Sequence, residues 1–233
     1  MDLAQFLTAG TFIDSDSPQV IAFAKQATVR EPDSHTAILR LYSAVRDGIV
    51  YDPYVNFADP TNYRASGVLT ASRAFCIGKA ALLAASARVI GVPARVGYAD
   101  VRNHLTSPRF YEKIKTDTFI WHSYTELYLS GRWLKATPAF DRALCARLGL
   151  KPLEFDGHSD SLLHPFDQAG RRHMEYLHDR GSFSDVPFDT IQVDFLSKYP
   201  SLMSGDGLAG DFRSEAVART LDQPRPQSEK KTG

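Results

Sequence analysis

The chain has 233 residues, 43% hydrophobic and 11% aromatic, enough to bury a core as one domain and unlike a disordered or fibrous chain. Lysine plus arginine and aspartate plus glutamate stand at 27 each, so no global field favours nucleic acid, an anionic membrane or a strongly charged substrate. Two cysteines, Cys76 and Cys145, make no disulfide framework; as free thiols they suit a reducing compartment, and with no secretory leader at Met1 to Phe6 and no long apolar run, a cytoplasmic location is expected.

Ser17-Pro18 reads as an N-cap followed by proline at the first helical position, and Val20, Ile21, Phe23, Ala24 and Ala27 form an apolar stripe behind it. After a turn at Arg30-Glu31-Pro32-Asp33, a second helix is expected from Ser34 through Ile38, Leu41, Tyr42 and Val45 to Gly48. Ile49 to Tyr54 is extended, and Asp59-Pro60-Thr61-Asn62 marks a loop. From Arg73 to Ile90 the spacing of Ile77, Ala80, Ala81, Leu83, Ala84 and Ala87 predicts a buried helix, stopped by Gly91 and Pro93.

Ala94 to Val101 alternates like a strand, and residues 102–117 read as a polar loop. Thr118 to Leu129 and Arg132 to Thr137 predict a hairpin about the two-residue turn Ser130-Gly131. Opposite positions then sum to 261: Tyr128 meets Trp133, Glu126 meets Lys135 and Tyr124 meets Thr137. Beyond Pro138 the chain reads as an irregular wrap, with a last packed strand or helix at Phe188 to Tyr199. Residues 222–233 have almost nothing to bury and read as a disordered tail.

Cys76 falls at the start of the buried helix, where unpaired backbone N–H groups and the helix dipole favour a thiolate. The bland alternative is a small buried hydrophobe. A nucleophilic thiol needs an imidazole and a third group to orient it. His122, early in the first hairpin strand, supplies the imidazole; Asp141 is the nearest carboxylate of matching strand parity, although an aspartate there also suits a turn.

Arg73-Ala74-Phe75-Cys76, the run Leu82 to Arg95 ending in Gly91-Val92-Pro93-Ala94-Arg95, and Trp121-His122-Ser123-Tyr124-Thr125-Glu126 through Trp133 resemble the core of the transglutaminase-like superfamily over about residues 65–141. The resemblance implies an α+β papain-like fold, with the Cys76 helix packed on an antiparallel sheet that carries His122. It implies acyl transfer or amide hydrolysis through an acyl-enzyme, acting on a protein or peptide carboxamide. The family pattern places an aspartate before a proline four residues after the hairpin tryptophan, and here Thr137 stands there, before Pro138. Asp141, Thr137, Asp156 or no residue at all is then left to orient His122.

The expected organisation is a helical segment over 1–64, the core over 65–141, a wrap over 142–221 and the tail over 222–233. No cofactor or metal is expected, because the histidines at 158, 164, 173 and 178 lack zinc-motif spacing and no glycine-rich phosphate loop occurs. Lys79, three residues past Cys76, reads as solvated or as a thiolate-favouring charge, and His104 as an exposed loop residue. The rival reading is a transglutaminase-like binding module without catalysis.

Overall fold

The computed structural model describes residues 2–29, 33–104, 108–203 and 210–215. The expected tail at 222–233 and most of the turn at 30–33 lie outside them. Two N-terminal helices, α1 (Pro18–Ala27) and α2 (Ser34–Gly48), form as the sequence predicts, with Pro18 in the first turn of α1 and the Asp33 carboxylate accepting the Thr36 N–H at the start of α2. Strand β1 (Val50–Tyr51) leads through a loop to α3 (Ala65–Ala71), β2 (Arg73–Ala74) and α4 (Cys76–Val89). Strands β1 and β2 pair in parallel, Val50 with Arg73 and Tyr51 with Ala74.

Helix α4 is buried on every side, from Ile77 to Arg88. That is what an apolar helix without a polar stripe must do. It packs on one face of a four-stranded sheet, and α1, α2 and α3 cover its other sides. Gly78 permits a close approach: an added Cβ would stand 2.5 Å from the Asn62 carbonyl oxygen and 2.8 Å from a Val68 methyl. Sheet and helix are tied by the Thr125 hydroxyl, which donates to the Ala80 carbonyl at 2.9 Å.

The sheet comprises β3 (Ala94–Asn103), β4 (Thr118–Leu129), β5 (Arg132–Ala136) and β6 (Met174–Phe183) in the order β5-β4-β3-β6, each neighbour antiparallel. The β4–β5 register follows the expected sum, with Glu126 opposite Lys135 and Tyr128 opposite Trp133. The ladder stops at Thr125 and Ala136 because the chain then bridges to Ser161 instead, and Thr137 N–H donates to the Ser161 carbonyl.

Two sequence expectations are corrected. Residues 102–117 hold a short helix, α5 (Pro108–Ile114), which buries Phe110 and Ile114 one turn apart. The region beyond Pro138, expected to be irregular before Phe188, holds α6 (Arg142–Leu148) and β6. The packed element expected at Phe188 to Tyr199 is the helix α7 (Phe188–Lys198), which buries Ile191 and Phe195, and α8 (Phe212–Glu215) follows later. Strand β6 escapes the period-two pattern because its pairing with β3 shifts register twice and Gly181 takes φ +85°. Among the described residues no helix is long and apolar enough to cross a membrane.

Candidate active site

Cys76 opens α4 because the chain arrives pinned. Val50 N–H donates to the Ser72 carbonyl and Asp52 N–H to that of Ala74, so β2 hands the backbone to the helix at a fixed angle. Phe75, the cap residue, is extended at φ −84°, ψ −176° and offers no side-chain cap, which leaves the first-turn N–H groups to the thiol. Its own ring is locked edge-on between Phe57 and Tyr63, at 5.1 Å from each.

The thiol is half-buried at a cleft lined also by His122, and the two come from elements far apart in sequence. The backbone N–H groups of Ser123, Ile77 and Cys76 itself turn toward the sulfur and favour its anion, as expected of a helix start. Burial outweighs them, however, and pushes the Cys76 thiol up to about 11. Three oriented amides favour the anion, and the hydration the sulfur loses in an apolar cleft works against them.

His122 owes its direction to a distortion in the sheet. Between the pairs Ala99–His122 and Val101–Phe119, β4 carries one residue more than β3, and Trp121 takes φ +61° there. A bulky side chain in that region stores strain of roughly 1–3 kcal/mol and persists only where its surroundings hold it. Asp100 accepts the Trp121 N–H at 3.1 Å, Asp194 accepts the indole N–H at 2.8 Å, and Arg180 bridges both carboxylates with its guanidinium 4.6 Å from the indole centroid. Asp100→Ala is therefore expected to slow chemistry at Cys76 on the order of ten- to a hundredfold by letting the imidazole swing. The alkylation rate of Cys76, read against an unfolding curve, checks this.

His122 is 7% exposed, and burial holds its pKa down, to about 4, with His173 acting in the same direction. The resting pair is thus a neutral thiol and a neutral imidazole, and no hydrogen bond joins them among the described contacts. Nε2 of His122 is buried without a partner among the described residues.

The structure does not bring Asp141 to that Nε2. Asp141 caps α6, where its carboxylate accepts the Leu144 N–H at 2.9 Å and the Tyr51 N–H at 3.3 Å and pairs with Arg213. The parity argument presumed an extended chain past Pro138, but β5 ends at Ala136. Asp156 is exposed and accepts the N–H groups of His158 and Ser159, each at 2.7 Å.

Thr137 is fully buried with an unpartnered hydroxyl, close to the Tyr176 hydroxyl. The Tyr176 ring packs edge-on to His122, at 6.2 Å between centroids. His173, 3% exposed, has its own Nδ1 buried without a partner, while the ring is held toward the His164 carbonyl. Neither Tyr176 nor His173 stood out in the sequence, since both come from the segment read as irregular. His104, at the end of β3, is half-buried and meets Glu175 at 3.2 Å.

Lys79 corrects another expectation. It is not solvated but wholly buried, and Nζ donates to the carbonyls of Arg46 at 2.8 Å and Ile49 at 2.7 Å, tying α4 to the C-terminal end of α2. Burial lowers its pKa to about 7. Lys79→Ala is expected to cost on the order of 3 kcal/mol of stability, by opening a cavity and stranding two carbonyls. Denaturant titration checks this. Among the described residues no group of three or more His, Cys, Asp or Glu side chains is arranged to hold a metal ion.

No curated protein sequence matches the chain. Among solved structures it is similar to a candidate cysteine protease from Cytophaga hutchinsonii, at 17% identity and a TM-score of 0.48, covering 79% of this chain and 48% of that one. A candidate protease from Parabacteroides distasonis is 16% identical with a TM-score of 0.40, covering 58% of this chain and 26% of that one. The chain therefore spans less than half the length of either structure. The family model of the transglutaminase-like superfamily matches residues 21–138, a stretch that runs from α1 past β5 and includes Cys76, His122 and Thr137. The chain belongs to the transglutaminase-like superfamily.

Proposed function

We propose that the chain is a thiol-dependent amide or peptide hydrolase, or an acyltransferase of the same chemistry, with Cys76 as nucleophile and His122 as its base. The observation that carries the reading is the junction of α4 and β4: His122 lines the cleft at Cys76, and the next backbone N–H on its strand, that of Ser123, turns to the sulfur.

Because both partners are neutral at rest, His122 takes the thiol proton as sulfur attacks the carbonyl carbon, rather than before. A carbon–sulfur bond forms, and the oxyanion gathers near the first-turn N–H groups of α4. His122 then returns the proton to the departing nitrogen as the carbon–nitrogen bond breaks, leaving an acyl-enzyme and a free amine. Water completes hydrolysis, and a second amine completes transfer. Cys76→Ala is expected to abolish both covalent labelling and turnover while leaving the unfolding curve little changed; intact-mass spectrometry locates the label. Labelling that moves to Cys145 would sink the assignment, and Cys145 is 2% exposed with its thiol also pushed up to about 11.

A second reading, a binding module on the same scaffold, draws support from the raised Cys76 thiol and from the His122 Nε2 that has no carboxylate beside it. A wild-type protein that forms no acyl-enzyme with any activated amide or ester at Cys76 decides for it.

A further inference from the structure

The cleft at Cys76 and His122 has a composition that bears on what enters it. Among the described residues its nineteen lining positions include six phenylalanines and no aspartate, glutamate, lysine or arginine. Its free volume is about 90 Å³, well below the roughly 300–1,000 Å³ of sites that take a whole small-molecule ligand, so it has room for a single side chain rather than for a larger group.

The walls are braced. Phe57 stands edge-on to Phe75 at 5.1 Å and to Phe195 at 5.5 Å, and Phe110 stacks on Phe119 at 5.7 Å. Tyr199 is held by its hydroxyl, which donates to the Thr118 carbonyl and accepts the Ile120 N–H, each at 2.8 Å. The neighbouring charges are committed elsewhere: Asp100, Arg180 and Asp194 hold Trp121, and Asp141 holds Tyr51 and α6. A carboxylate or ammonium entering the cleft would lose its hydration and meet no counter-charge from the described lining residues. An aromatic or branched aliphatic side chain would meet ring faces and edges.

We infer that this cleft is the acyl-group pocket, and that the substrate is an amide or peptide whose attacked carbonyl belongs to a residue with a bulky, uncharged, apolar side chain. The inference rests on the reading of Cys76 as nucleophile. Phe119 is the specificity-determining position most open to test, because its ring lines the cleft while remaining only half-buried.

The test uses the full chain and a matched series of peptidyl acyloxymethyl ketones that differ only in the residue next to the electrophile: phenylalanine, leucine, glutamine, glutamate or lysine. Rates are followed by intact mass, and the modified residue is found by peptide mapping. The phenylalanine and leucine probes are expected to modify Cys76 at least about tenfold faster than the glutamine probe and about a hundredfold faster than the charged ones. Equal rates across the series, or faster reaction with glutamine or a charged probe, would overturn the inference while leaving Cys76 a nucleophile. No modification of Cys76 by any probe would remove the nucleophile reading and the inference with it.

Phe119→Lys, with folding verified by thermal unfolding, is expected to shift the glutamate-to-phenylalanine rate ratio upward by about tenfold or more. An unchanged ratio in a folded variant would mean that the side chain binds elsewhere. If that variant does not fold, the wild-type series alone decides.

Discussion

His122→Gln is expected to slow acyl-enzyme formation at pH 7 by about 10²- to 10⁴-fold, the contribution usual for a positioned general base. It should leave the chain folded, since the imidazole is neutral at that pH and makes no hydrogen bond at Nε2 that glutamine would have to replace. The pH dependence tests the neutral-pair mechanism separately. Iodoacetamide reacts only with thiolate, so in the wild type its rate at Cys76 should climb about tenfold per pH unit up to the thiol pKa near 11. Turnover, which draws the proton through His122, should instead stay active down to the His122 pKa near 4 and fall below it. Alkylation already at its plateau by pH 6 would mean a preformed thiolate and imidazolium, and would contradict the balance between burial and amide donors described above.

The second large effect is on stability in acid. His122 and His173 are both held down to about 4 by burial, whereas in the unfolded chain each titrates near 6.5. Above pH 6.5 neither state binds the protons, and these residues add no pH dependence. Between 6.5 and 4 the unfolded chain takes up protons that the native state refuses, so stability falls; below 4 both states are protonated and the loss levels off. Holding each imidazole at about 4 instead of 6.5 corresponds to a loss on the order of 3 kcal/mol when fully expressed, large beside the roughly 5–15 kcal/mol of a typical domain. Urea midpoints of the wild type should drop steeply from pH 6.5 to 4. Those of His173→Gln should drop about half as steeply in that window, once the carboxylate titration common to both is subtracted. Equal slopes would refute the burial argument for His173.

Much of this site was legible in the sequence because its strongest signals are local. The apolar spacing from Ile77 to Ala87 with its Gly91-Val92-Pro93 stop places Cys76 at a helix start, and Ser130-Gly131 sets a register that puts His122 on a defined strand; both hold in the structure. The wrap was less legible. Strand β6 pairs with β3 through two register shifts, so no regular alternation betrays it, and the short α5 shows only two apolar positions one turn apart. Lys79 was misread because three residues from Cys76 on a helix suggests a shared face, while nothing local says that the opposite side of that helix is covered by α2.

The sequence by itself determined the neighbourhood of the chemistry: helix start, strand, turn, and the absence of a bulk charge to draw a charged partner. Such features depend on a few consecutive residues, and short-range sterics and hydrogen bonding dictate them. Only the tertiary structure decided the burial that raises the Cys76 thiol and lowers the His122 imidazole, the turning of Asp141 toward α6 and Arg213, the strained Trp121 held by Asp100, Asp194 and Arg180, and the phenylalanine-rich walls of the cleft. Each is set by burial and by contacts between residues distant along the chain, and desolvation, which outweighs the helix-start donors at Cys76, exists only once the core has closed around it.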